Sequence, residues 1–205
     1  MIIAKLQHDL ETIYRLGHFP SIENFLISAH EIKVLLPQEE KPNPQVLFRQ
    51  EHDEIFLAVF LGEETVARLE ANILSKSLLS DFCSAAEEIS HFLYLSWSAN
   101  NEKPISLLDI ELQGEIDKFL LASQYFSDEE NLFGRMFDQI SFHERLDESS
   151  LDRYVEANRL GGKFVKTLGK NGDTYEIRTC PQILAKLRAF YRLNSQTRLS
   201  HIETL

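Results

Sequence analysis

Two adjacent apolar stretches, Leu78 to Trp97 and Ile105 to Phe126, carry the densest group of chemically able side chains in the chain. The first contains Glu87, Glu88 and His91; the second contains Glu111, Glu115 and Asp117. Imidazole nitrogen and carboxylate oxygen together suit zinc, iron or manganese, and carboxyl groups also relay protons. Only Asn100 to Pro104 separates the two cores, a connector short enough to make the helices antiparallel neighbours. Residues equidistant from a midpoint near Lys103 then stand at one height, which sets His91 level with Glu115 and Leu95 level with Glu111. Glu88, His91, Glu111 and Glu115 are therefore the candidate ligands of a divalent transition metal.

A plainer explanation is preferred at this level. Stepping roughly 100° per residue from Ile89 puts Leu78, Phe82, Ala85, Ala86, Phe92 and Leu93 on one face of the first helix. Ser84, Glu87, His91 and Tyr94 fall opposite, so Glu87 and His91 become a solvent-facing i, i+4 pair. Dinuclear sites in four-helix bundles also take a Glu-x-x-His from each of two helices, and Glu88-Ile-Ser-His91 is the sole example here. The second helix has a core stripe of Ile105, Leu108, Leu112, Ile116, Phe119 and Phe126. A further apolar side, Leu107, Ile110, Leu121 and Tyr125, predicts a central helix with Glu111, Glu115 and Lys118 along one edge.

Other motifs are incomplete. His143-Glu144 opens like a zinc-protease helix, but Asp147 stands where the second histidine belongs, and a surface loop is expected. Gly161-Gly162-Lys163 lacks the remaining glycine and the hydroxyl residue of a phosphate-binding loop, and close helix packing explains it better. No Gly-x-Ser-x-Gly elbow is present. Cys83 and Cys180 form neither a CxxC pair nor a disulfide framework, so both are expected to be reduced.

Charge is uneven. Residues 1–150 hold 27 acids against 11 bases and residues 151–205 hold 5 against 10, so a basic tail faces an acidic body. Lys186, Arg188 and Arg192 lie around an amphipathic helix whose other side is Ile183, Leu187 and Phe190. They are the candidate partner-binding residues. Docking on the chain's own acidic body is preferred over nucleic acid, whose phosphates that body would repel.

The elements that must position these groups follow from periodicity. Helices are expected over 1–17, from Ser21 to before Glu31, and over 63–73, 78–97, 105–126, 128–142, 149–168 and 181–193. Ile32–Pro37, Gln45–Arg49 and Glu54–Leu61 read as strands of a small meander, with a hairpin turn at Gln50–Asp53. Thr174–Thr179 is a further candidate strand after a turn at Gly169–Gly172, and Ser195–Leu205 reads as a polar, mobile end. The expected class is α+β: an antiparallel sheet of about three strands joined to a bundle of five to six helices. One domain over 1–205 is expected, with a possible subdivision into 1–62 and 63–205.

At 43% apolar residues a 205-residue chain buries a full core, and no run approaches the ~18 apolar residues of a membrane span. The charged start of the chain lacks a signal peptide's apolar region, which points to the cytoplasm. With no complete catalytic motif, the preferred function is a non-catalytic adaptor or regulator holding a protein partner or a second copy. A metal-dependent enzyme using the four candidate ligands comes second, and nucleic-acid binding through the basic C-terminal helices third.

Overall fold

The computed structural model describes residues 1–39, 41–52, 54–71, 74–139, 148–168 and 180–205. The class is α+β, a mainly helical body with one two-stranded antiparallel sheet among the described residues. The helices are α1 (Ile2–Tyr14), α2 (Ala29–Leu35), α3 (Glu63–Ala71), α4 (Leu79–Asn100), α5 (Leu107–Tyr125), α6 (Glu148–Lys166), α7 (Pro181–Arg192) and α8 (Ser195–Glu203). The strands are β1 (Gln45–Glu51) and β2 (Glu54–Phe60), paired from Gln45 opposite Phe60 to Glu51 opposite Glu54. Gln50 and Glu51 thus remain in the ladder, and the turn is tighter than the four residues expected.

The expected three-stranded meander is corrected to two strands, because Ile32–Leu35 forms the second half of α2, with Leu36 as its C-cap. Its aliphatic residues resemble a strand, but Ser28 and Glu31 form a capping box just upstream. The Ser28 hydroxyl accepts from the Glu31 amide (3.3 Å), and Glu31 Oε2 accepts from the Ser28 amide (2.8 Å). Two satisfied amides at a helix start outweigh the weak strand preference of the residues that follow.

One apolar cluster runs through the molecule, joining Ile3 and Leu6 of α1, Val59 of β2, Phe82 and Phe92 of α4, Leu120 of α5, Phe164 of α6 and Phe190 of α7. The central place expected for α5 is found: every residue from Asp109 to Ser123 is buried. Its polar residues therefore need partners inside the protein. Ser21 caps a helical turn after α1 as expected, but it is a 3-10 turn of Ile22–Phe25 only, because Leu26 is extended and bridges to Val59; a π-helical turn (Gly134–Asp138) lies within the stretch expected to be one helix. The candidate loop at His143–Asp147, the turn at Gly169–Gly172 and the strand at Thr174–Thr179 lie outside the described residues.

The C-terminal stretch departs most from expectation. Ser195–Glu203 is helix α8, capped by the Asn194 side chain on the Thr197 amide (2.9 Å), with Arg198 and Ile202 both 0% exposed. Arg198 donates to Gln113 Oε1 (2.7 Å) and to the Tyr94 hydroxyl, and it faces Asp109. The residues that looked polar and free are instead an anchor in the core. Among the described residues, no helix is long and apolar enough to cross a membrane.

Candidate metal centre

Helices α4 and α5 run antiparallel through residues 101–106, where Ser106 and Asp109 close a second capping box and fix the start of α5. α6 also packs against α5, and its Arg153 and Asn158 reach Glu111 and Glu115. Two glycines set these spacings. A Cβ at Gly114 would lie 2.7 Å from His91 Nε2, so the imidazole rests on the bare backbone of α5. A Cβ at Gly161 would lie 2.9 Å from the Glu115 Cβ, so α6 approaches α5 as closely as the Gly161-Gly162 pair suggested.

His91 is consequently buried, not exposed as its helical phase implied. The phasing identified one apolar face of α4, whereas α5 covers the other. Glu88 Oε2 lies 3.4 Å from His91 Nδ1, placed to accept an N–H from it, and Nε2 is the nitrogen turned toward Glu111. On that side Glu111 Oε2 stands 3.5 Å away, and ligating atoms of Glu87, His91 and Glu111 all fall within 4.8 Å of one another. The His91 and Glu111 side chains are only 10% and 9% exposed, yet His91 Nε2 and Glu111 Oε2 have no hydrogen-bond partner among the described residues.

The four sequence-derived candidates thus separate. His91 and Glu111 meet; Glu88 sits behind the imidazole and orients it, the place of a carboxylate that positions a metal-binding histidine. Glu115 points elsewhere: its Oε1 lies 2.9 Å from Lys118 Nζ, and its Oε2 accepts from Asn158 Nδ2 of α6 (3.2 Å). The levels are also shifted, since His91 lies over Gly114 and against Glu111 rather than beside Glu115. Glu87, which completes the cluster, was assigned to an exposed pair. Its signal was the same i, i+4 spacing to His91, read on the wrong side of the helix.

Electrostatics match this layout. Burial would depress the His91 pKa, but Glu88, aided by Glu111 and Glu87, outweighs it and holds the imidazole at about 9. Burial raises Glu111, only partly relieved by His91. Burial also raises Glu115 against the pull of Lys118, whereas for Glu87 the Lys118 ammonium prevails and its pKa is lowered. Arg153 Nε of α6 reaches Glu111 Oε1 at 3.4 Å. Four carboxylates, Glu87, Glu88, Glu111 and Glu115, therefore share two permanent cations, Lys118 and Arg153, which leaves two negative charges in excess when His91 is neutral and one when it is protonated. Beside them stands half-buried Tyr154, whose phenol is held protonated by burial and by the neighbouring Glu111, Glu87 and Glu88.

A second polar network lies across α5. Asp117 accepts from Ser90 Oγ (2.6 Å), Gln113 Nε2 (2.9 Å) and the Tyr14 hydroxyl, and through Gln113 it reaches Arg198. Each of these residues makes at least one hydrogen bond to another helix, although Arg198 Nε has none, and together they tie α1, α4, α5 and α8. The three basic candidates of α7 are also engaged with the chain itself. Arg188 Nε donates to the Ile13 carbonyl (2.7 Å), an Arg192 N–H to the Tyr14 carbonyl (2.9 Å), and Lys186 Nζ to Thr167 Oγ1 (2.6 Å). The two arginines cover the carbonyl end of α1, which has no basic residue in its own last turn.

Comparison with protein-family models, with curated proteins and with solved structures finds no match for this chain.

Proposed function

We propose that this protein is metal-dependent, and that it holds one divalent transition-metal ion between α4 and α5 through Glu87, His91 and Glu111. The observation that carries the reading is the pair of buried atoms His91 Nε2 and Glu111 Oε2, 3.5 Å apart as an ion pair but without a hydrogen bond, within reach of the Glu87 carboxylate. A buried polar atom without a hydrogen bond costs ~1–3 kcal/mol, and a shared cation that displaces the imidazole proton would satisfy both atoms together. Once the imidazole has given up its proton, the excess of two negative charges is the charge that a divalent ion balances. Glu88 fixes the ring and its tautomer, Arg153 orients Glu111, and Tyr154 supplies a protonated phenol beside the cluster.

One histidine and two carboxylates make three donors, the count of zinc sites that keep a position open for water or substrate, whereas closed structural zinc sites use four, mostly cysteine and histidine. An enzyme is therefore the favoured form of this reading. A bound ion would act as a Lewis acid or lower the pKa of a bound water. The test is metal analysis of purified protein after incubation with zinc, manganese or iron, together with melting temperature with and without metal. Near one ion per chain, lost in His91→Ala along with the thermal shift, is expected; no metal in the native chain removes the reading.

A protein-contact role retains support from another place. Val34 and Leu35 of α2, with Phe48, Ile55 and Phe56 of the hairpin, are exposed large apolar side chains in the N-terminal region. Sedimentation of the native chain and of Phe48→Asp measures self-association through that region, and identical monomers would count against a homo-oligomer built there. The basic residues of α7 and α8 give no comparable support to nucleic-acid binding, because their donors are used within the chain.

A further inference from the structure

Lys118 occupies an unusual position for a lysine. Its ammonium lies 2.9 Å from Glu87 Oε2 on α4 and 2.9 Å from Glu115 Oε1 on its own helix, with the side chain 10% exposed. Glu87 is shared: the same residue offers a ligating oxygen to the His91 and Glu111 cluster. Glu115 is held in place from behind, since Asn158 Nδ2 donates to its Oε2 while Asn158 also donates to the Met136 carbonyl (3.0 Å). Two carboxylates from neighbouring helices thus converge on one small cation, next to the three groups assigned above to a metal ion.

That is the donor pattern of a two-cation cage, in which a carboxylate lies between ions about 3.5–4 Å apart. Helical bundles build such cages from glutamates on facing helices together with histidine. Resting on the metal reading above, we infer that Lys118 is a built-in counter-cation that fills the second position of a carboxylate cage and so limits the site to a single divalent ion. The charges agree. With Lys118 and Arg153 in place, one divalent ion neutralises the four carboxylates. Without Lys118 the excess rises to three negative charges, more than one divalent ion balances, and Glu87 and Glu115 are left facing each other with a vacated cation position between them. A lysine also keeps this half of the site folded in the absence of metal, because its charge is covalently supplied.

The experiment compares the full-length native chain with Lys118→Ala, Lys118→Gln and Lys118→Ala/Glu115→Gln. Each is loaded with Mn(II), freed of excess metal by gel filtration, and measured for metal per chain, for paramagnetic resonance and for far-ultraviolet circular dichroism. The native chain is expected to hold one ion with the six-line spectrum of isolated Mn(II). Lys118→Ala and Lys118→Gln are expected to hold two, with the altered spectrum of a coupled pair, and the double variant is expected to return to one. A native chain without metal removes the reading beneath this inference. A native chain with one ion and single variants that also hold one removes the inference alone. A native chain with two ions, or single variants that remain unfolded with Mn(II) present, likewise overturns it.

Discussion

The His91 imidazole lies directly on Gly114, with no side chain between ring and helix. Replacing Gly114 by Ala places a methyl carbon 2.7 Å from Nε2 unless the ring moves. In Gly114→Ala the ring is expected to turn away from Glu111, and metal affinity to fall at least tenfold. Stability without metal should change less, since ~1 kcal/mol of helix propensity gained opposes ~1–3 kcal/mol of overpacking. Thermal melts with and without zinc separate the two effects. A variant whose metal-induced shift equals that of the native chain shows that His91 is not a ligand.

Asp117 predicts a pH dependence. Burial raises its carboxyl to about 6, even though bonds from Ser90, Tyr14 and Gln113 pull it down, whereas an unfolded aspartate titrates near ~3.9. The native state therefore keeps a proton that the unfolded state has lost. Its stabilising contribution is complete below about pH 4 and is lost as pH rises through about 6. A shift of roughly two units corresponds to about 3 kcal/mol. Urea denaturation from pH 4 to pH 7.5 should show Asp117→Asn gaining on the native chain as pH rises, because the amide never ionises. Parallel pH curves for the two proteins would refute this.

Arg198 predicts the anchoring of the C-terminal helix. Its guanidinium is wholly buried and serves Tyr94, Gln113 and Asp109, so Arg198→Ala leaves Asp109 facing the interior without its cation. Removing one partner of a buried ion pair costs ~3–5 kcal/mol. Denaturant melts should register a loss of that order, and hydrogen exchange should accelerate over Ser195–Glu203. Unchanged protection there would show that the other contacts of the helix, Ile202 in the core and the bonds of Ser195 to Asp109 and of Glu203 to Arg159, hold it without Arg198.

Arg188 predicts a smaller effect with a different signature. Its bond to the Ile13 carbonyl spans α7 and α1, and the site is partly open to solvent. Arg188→Ala should cost about 1 kcal/mol, the worth of one such bond. Exchange at the end of α1 should rise while metal content stays unchanged. A large loss of metal would contradict the separation of this contact from the α4/α5 site.

Periodicity alone placed α1, α3, α4, α5, α6 and α7 to within a few residues, because a 3.6-residue recurrence of apolar side chains needs no knowledge of the partner surface. The central position of α5 was legible for the same reason: a helix apolar on two sides must be covered on two sides. The acids and the histidine were also found as one group, since a short connector between two helices leaves little freedom in their height. What the sequence did not determine was rotation. Whether His91 faces water or α5 depends on the absence of a side chain at Gly114 and on the approach of α6 at Gly161, contacts between residues distant in the chain. Rotation also decided that Glu87 completes the cluster, that Glu88 serves the back of the ring and that Lys118 lies between Glu87 and Glu115. α8 was invisible for a related reason: a charged residue such as Arg198 enters a core only when donors and acceptors from several helices are already assembled to receive it, and that assembly exists only in the folded chain.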